Sequence, residues 1–283
     1  MRILLTGRSG QVGSALERAL APIGEVCAFD RQGFDLLRPD DFEKAIGRIK
    51  PTVIVNAAAY TAVDRAEREP ELAFRVNSQG VKELAQAARS ADALLVHFST
   101  DFVFDGEKPG AYVESDAPNP LNVYGRSKLE GERAIAASGC RHLVFRTSWV
   151  YAPAGRNFLR AILAAARDKP ELRVVDDQHG APTSSLDIAA AVARILAMPG
   201  LAARSGLYHM TAAGETTWYG FARAILDAKG IRTPVVAIPS EAYPTAARRP
   251  KNSRLSNAKL TAAFGVALPD WREGLAAVLR AVV

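Results

Sequence analysis

Short apolar runs along this chain alternate with longer stretches in which apolar residues recur every three or four positions. Ile3, Leu4 and Leu5 make the first run. A run of that kind bounded by turn residues fits a strand covered on both faces. Val12, Ala15, Leu16, Ala19 and Leu20 then fall on one helical face. The alternation repeats. It predicts strands at 25–30, 52–55, 93–99 and 142–147, and helices from Pro39 to about Ile49, over 61–76 and 77–91 with a break near Pro70, and over 120–138. Strand and helix in strict alternation imply a doubly wound α/β sheet, parallel throughout. Beyond residue 150 the pattern loosens. Helices are predicted at 157–167, 184–197, 217–229, 256–264 and 270–282, with short strands at 172–175, 206–210 and 234–238. This later part is expected to cover one sheet edge.

The turn after the first strand carries glycines at 7, 10 and 13. Gly7 permits a tight turn, Gly10 lets backbone approach a pyrophosphate, and Gly13 lets the helix pack on the strand. The helix N-terminus offers free N–H groups and a positive dipole end. The expected contacts of a dinucleotide diphosphate are therefore Gly7, Gly10, Gln11, Val12 and Gly13. Asp30 closes the second strand about 20 residues on, where an acid meets adenosine ribose hydroxyls. Arg8 and Arg31 suit a 2′-phosphate instead, so NADH and NADPH both stay open. Small residues 56–59 past the third strand leave room for a flat ligand. On this reading residues 1–150 bind the dinucleotide. Residues 151–283 mainly bind substrate and pack against the first part.

Composition narrows the class. The chain has 283 residues, 48% of them hydrophobic and 23% charged. No apolar run approaches the roughly 18 residues of a membrane span, and the first residues do not read as a secretory signal. Cys27 and Cys140, the two cysteines, read as lone buried thiols of a reducing, cytoplasmic setting. No spacing suits zinc, so no metal site is assigned. The net charge of +6 raises nucleic acid, but the arginines are scattered and no aromatic–basic interleaving accompanies them. A small-molecule nucleotide partner explains the balance, with neither nucleic acid nor membrane.

Tyr124 and Lys128 stand four apart on a predicted helix and share a face. A tyrosine can hand a proton to a carbonyl oxygen that gains a hydride, but its ordinary pKa is about 10. A lysine ammonium beside it is expected to lower that value, aided by a hydroxyl, for which Thr100 at a strand's carboxyl end is placed. The glycine- and proline-rich stretch 102–117 reads as a substrate lid.

The runs 6–13, 56–64, 99–106, 122–128, 145–151, 177–183, 206–210 and 249–255 carry a resemblance to a known family. The chain resembles the extended short-chain dehydrogenase/reductases nearly end to end. Ser-Thr-Asp-Phe-Val-Phe-Asp-Gly at 99–106 and Phe-Arg-Thr-Ser-Trp-Val-Tyr at 145–151 place it in the subgroup that reduces nucleotide-linked 4-ketosugars. The resemblance implies a Rossmann-type fold and NADPH- or NADH-dependent reduction of dTDP-4-dehydro-L-rhamnose at C4, for cell-surface polysaccharide. By motif position Tyr124 would be the proton donor, with Lys128 and Thr100 tuning it and Lys128 also on the ribose. Asp30 would bind the adenosine ribose, Asp35 and Leu36 would flank adenine, and Ala59, Tyr60, Thr61 and Phe98 would line the rest. Thr100, Asp101 and Trp149 would meet the sugar, and Arg249 the substrate diphosphate. Some family members hold magnesium through carboxylates at a homodimer interface. Ala15 and Leu186 stand at those positions here, so the metal is not carried over and a homodimer stays open. Two alternatives stay open: a non-catalytic regulatory subunit like that of methionine adenosyltransferase, and a reductase of another nucleotide-linked 4-ketosugar.

Overall fold

The computed structural model describes residues 1–282. Its centre is a six-stranded sheet in the order β10-β5-β4-β3-β1-β2. The strands are β1 (Arg2–Thr6), β2 (Glu25–Phe29), β3 (Val53–Asn56), β4 (Leu94–Thr100), β5 (His142–Thr147) and β10 (Gly206–His209). All are parallel neighbours, for example Leu4 beside Ile54 and Phe98 beside Phe145. The continuous apolar runs are explained by burial from both sides. On one face lie α1 (Gln11–Leu20), α8 (Ser185–Leu196) and α10 (Ala258–Phe264), packed on Ile3, Leu5, Val55 and Phe145. On the other lie α2 (Pro39–Ile49), α5 (Gly80–Ser90) and α6 (Val123–Ser138), packed on Leu4, Ile54 and Leu95. β2 lies at the sheet edge, so Cys27 is half-buried rather than buried as the sequence suggested; Cys140 is buried.

The helical stretch around Pro70 differs from its sequence reading. α3 (Val63–Ala66) is a single turn, and α4 (Pro70–Phe74) starts at Pro70, where the missing N–H costs nothing. α4 then runs into α5 through a wide π turn at Arg75–Gln79, so no break falls after Val76. The turn carries Asn77 into the core. Its side chain accepts from Tyr60 N (2.8 Å) and donates to Tyr60 O (2.9 Å) and Ser127 Oγ (3.0 Å). One extra residue in the helix thus fixes the loop that follows β3.

The later residues build a second core. α7 (Phe158–Asp168), α9 (Trp218–Ala228) and α11 (Trp271–Ala281) enclose Leu159, Phe221, Ile225 and Leu275. β7 (Leu172–Val175) pairs in parallel with β12 (Val235–Ile238). Two smaller ladders join β6 (Val150–Tyr151) to β9 (Thr183–Ser184) and β8 (His179–Gly180) to β11 (Thr216–Thr217). The sequence missed these four strands because two residues carry no periodicity. No described helix is long and apolar enough to cross a membrane.

Candidate active site

The candidate residues gather at the carboxyl ends of β1, β3, β4 and β5, where open parallel sheets bind ligands. Gly7 adopts φ +75°, and a Cβ there would lie 2.6 Å from Ala58 N. A Cβ on Gly13 would lie 2.0 Å from Gly7 O, so only glycine lets α1 start against this turn. Gly10 stands at the N-cap of α1 and supplies no side-chain cap, leaving the first amides of the helix to an anion. Gln11 keeps a buried, unpartnered Oε1 at the same place. These features suit the diphosphate of a dinucleotide. We expect Gly13→Ala to abolish the rise in melting temperature that millimolar NADPH produces in the parent chain, because the Cβ closes the cradle.

Several of the residues expected at the adenosine end have partners within the protein. Asp30 Oδ1 accepts from Gln32 N (3.0 Å) and Gly33 N (3.1 Å), closing the turn after β2. Leu36 is 3% exposed and packs in the core with Phe34 and Phe42. Asp35 is bridged by Arg31 (3.2 Å), and Arg8 by Glu17 (3.0 Å). Ala59 and Tyr60 are half-buried and Thr61 is exposed along the β3 loop; the Tyr60 hydroxyl donates to Glu69 (2.9 Å).

Thr100 and Asp101 end β4, and Tyr124 and Lys128 lie in the first turns of α6. The helix is capped by Asn122, whose Oδ1 accepts from Gly125 N (2.8 Å). Gly125 is required by a close approach, since a Cβ would lie 2.1 Å from Phe102 O. Thr100 Oγ1 donates to Asp101 Oδ1 (3.1 Å). Asp101 Oδ2 is buried without a partner, and burial pushes this carboxyl up to about 6 against the pull of Ser253 and Thr100. Burial also pushes the Tyr124 phenol up to about 12; the Thr100 hydroxyl opposes this and the Asp101 carboxylate adds to it.

That is the reverse of the lowering the Tyr–Lys spacing predicts. The cause is burial, with no offset from Lys128, whose Nζ turns to β4, against His97 Nε2 (3.0 Å) and Phe98 O (2.6 Å). Burial lowers its own pKa to about 8, against the Glu132 carboxylate one turn along. Phe98, half-buried, tilts against Phe145 beneath.

Trp149 sits past the end of β5 with φ +49°, a strained conformation for a side chain of its size. Its indole stacks on Trp218 at 3.7 Å and 11°. Gly180 allows the stack, since a Cβ there would lie 2.7 Å from Trp149 Cε2. Arg249 makes a two-pronged bond to Asp64 (3.1 and 2.7 Å), which holds that carboxyl below its ordinary range. Its guanidinium, expected on a substrate diphosphate, is thus engaged within the protein.

The stretch read as a lid is packed against the rest of the protein. Val103, Phe104 and Tyr112 are buried with Leu129 and Leu255. Asn252 Nδ2 donates to Lys108 O and Gly110 O (2.6 and 2.8 Å), and Lys108 bridges Asp116 (2.6 Å). The stretch is a fixed wall tied to the C-terminal residues.

The family model described as RmlD substrate binding domain matches residues 1–283. A dTDP-4-dehydrorhamnose reductase of Burkholderia thailandensis is 47% identical over 293 residues, covering 99% of this chain and 98% of the relative. One from Escherichia coli (strain K12) is 45% identical, covering 99% and 97%. The chain belongs to the dTDP-4-dehydrorhamnose reductase family. A solved dTDP-4-dehydrorhamnose reductase from Bacillus anthracis in complex with NADP superposes with a TM-score of 0.94 at 32% identity, covering 99% of this chain and 98% of that one.

The magnesium that the resemblance attributes to some members does not fit this member of the dTDP-4-dehydrorhamnose reductase family. Ala15 is buried in the core and Leu186 packs against it. The nearest acid on α1, Glu17, is bound by Arg8. Sequence reasoning passed over His97, Asn77, Glu132, Arg146 and Asp64. A histidine inside an apolar strand was the one local signal among them.

Proposed function

We propose that the chain reduces the C4 ketone of dTDP-4-dehydro-L-rhamnose with a reduced nicotinamide dinucleotide, giving dTDP-L-rhamnose. The observation that carries this reading is the cluster of Thr100, Asp101 and Tyr124 at the carboxyl end of β4. It stands at the same end of the parallel sheet as the glycine turn, in a chain 47% identical to a dTDP-4-dehydrorhamnose reductase. The NADP carried by the Bacillus anthracis relative favours NADPH as a cofactor.

The division of labour follows from the residues. The amides of Gln11 and Val12 hold the diphosphate at the start of α1. The dinucleotide supplies the hydride when bound. Lys128 holds the nicotinamide ribose. Tyr124 donates its phenolic proton to O4 of the sugar as the ketone becomes an alcohol. A phenol held at about 12 keeps that proton at neutral pH, which suits an acid rather than a base. Asp101 and Trp149 bind the sugar. Residues 1–150 mainly serve the dinucleotide, and residues 151–283 the substrate.

The test is absorbance at 340 nm with NADPH or NADH and dTDP-4-dehydrorhamnose generated in place. Substrate-dependent oxidation is expected with at least one cofactor. A bound dinucleotide with no oxidation would overturn the reductase reading.

A further inference from the structure

Lys128 ends a buried chain of polar groups whose hydrogen directions can be assigned one after another. Ala58 N–H donates to Asn56 Oδ1 (3.1 Å), and Thr6 Oγ1 donates to the same oxygen (2.7 Å). A backbone N–H can only donate, so the Asn56 oxygen is the atom facing Ala58. Its Nδ2 is therefore the atom 3.0 Å from His97 Nδ1. An amide nitrogen has only hydrogens to offer, so His97 Nδ1 must present its lone pair. The neutral ring then carries its proton on Nε2. His97 is fully buried, and burial holds it well below the ordinary imidazole range, so a second ring proton is excluded at neutral pH.

The Nε2–H points at Lys128 Nζ, 3.0 Å away. An ammonium has three donors and no lone pair, so it cannot accept this hydrogen. A neutral amine can, while donating to Phe98 O (2.6 Å). Lys128 is 2% exposed, so bulk solvent does not reach it. The charged or titratable neighbours are few. Glu132, one turn along the helix, favours the charged lysine, but its two oxygens are taken by Arg146 of β5 (2.8 and 2.6 Å). Tyr124, one turn back, is protonated, and Asp101 lies at the end of β4 beyond it. Nothing here compensates a facing N–H.

We infer that Lys128 is a neutral amine while it rests on His97, and that dinucleotide binding is coupled to uptake of one proton at Lys128 Nζ. The proton comes from the solvent and forms the third N–H bond of an ammonium; no other bond changes. The ribose hydroxyls supply the acceptors that His97 withholds, so the lysine becomes charged only where its charge acts on Tyr124. His97 is a positioning residue in this scheme. The second half rests on the dinucleotide reading given above; the first half does not.

The first half is tested by the pH titration of the protein labelled with ¹³C at the lysine Cε carbons. One lysine is expected to titrate near pH 8 in the protein alone, to be missing in Lys128→Met, and to move above pH 10 on saturation with NADPH. His97→Gln, which turns an amide oxygen toward Nζ, is expected to raise that titration by at least one pH unit. A spectrum in which every lysine titrates near 10 or above overturns the inference, whether or not the variants fold. The second half is read by titration calorimetry at pH 8.5 in two buffers of different ionisation enthalpy. With a lysine near 8 brought to its ordinary value of about 10.4, uptake of about three-quarters of a proton is expected. The phosphates are fully ionised at that pH and contribute nothing. Binding heat that is the same in both buffers overturns the coupling. Absence of any binding heat counts against the dinucleotide reading, and the lysine titration then decides the state of the amine by itself.

Discussion

Tyr124→Phe is expected to lower turnover by at least about 10², the usual scale for a lost general acid. That corresponds to about 2.7 kcal/mol of transition-state stabilisation. The ring packs edge-on against Phe102 (5.7 Å, 74°), and phenylalanine keeps that contact. The hydroxyl makes no bond that holds the fold together, so the melting temperature and its rise with NADPH are expected to stay close to those of the parent. The combination matters. Lost turnover with retained dinucleotide binding marks a group used in the chemical step, whereas parallel losses would mark a packing role. Turnover near the parent value would remove Tyr124 as proton donor.

Glu132→Leu is expected to give the largest loss of stability, and for a reason remote from chemistry. Glu132 and Arg146 form a two-pronged pair (2.8 and 2.6 Å) at 8% and 2% exposure. Removing one partner leaves a buried charge, which costs about 3–5 kcal/mol. At roughly 2–4 °C per kcal/mol the melting temperature should fall by about 6–20 °C. The effect reaches further than α6 and β5. The Arg146 guanidinium also lies over the Phe104 ring at 5.0 Å, and Phe104 stacks on Tyr112 at 4.0 Å, so the wall beside the site is seated on this pair. The double variant Glu132→Leu, Arg146→Met removes both charges and should recover most of the loss. A single variant that melts with the parent would show that the pair contributes little.

The strands around the site were legible because their signal is local. Ile3–Leu5 is apolar without alternation, and the glycines at 7, 10 and 13 have a spacing that serves one geometry. Thr100, Asp101, Tyr124 and Lys128 could be grouped because strand ends and helix starts meet on one side of a parallel sheet. The direction in which Lys128 turns was not legible. It depends on His97 and Phe98 of a strand about 30 residues earlier and on the hydrogens of Asn56 in another. The same holds for Arg249. Its pairing with Asp64 spans 185 residues of sequence, and nothing near either residue signals it. What the 102–117 stretch rests on was not legible, because Gly and Pro mark a turn without saying what lies under it. Tyr112 pairs with Leu255, and nothing near either residue announces the other.

The sheet's order has a consequence for the chain during its synthesis. β10 is the last strand of the sheet to leave the ribosome, yet it pairs with β5, whose Leu143 and Phe145 stand beside Gly206 and Tyr208. Until residues 206–209 emerge, one flank of the nascent sheet is an apolar strand with unpaired N–H and C=O groups, the kind of edge that recruits strands from other chains. The stretch that closes this edge also brings α10, whose Leu260 and Phe264 cover the same core. A premature stop between residues 148 and 205 therefore does more than remove part of a binding surface. It releases a product with an open edge, which chaperones must hold or proteases clear. Early termination in this chain should be recovered in the insoluble fraction of the cell, not as a soluble fragment.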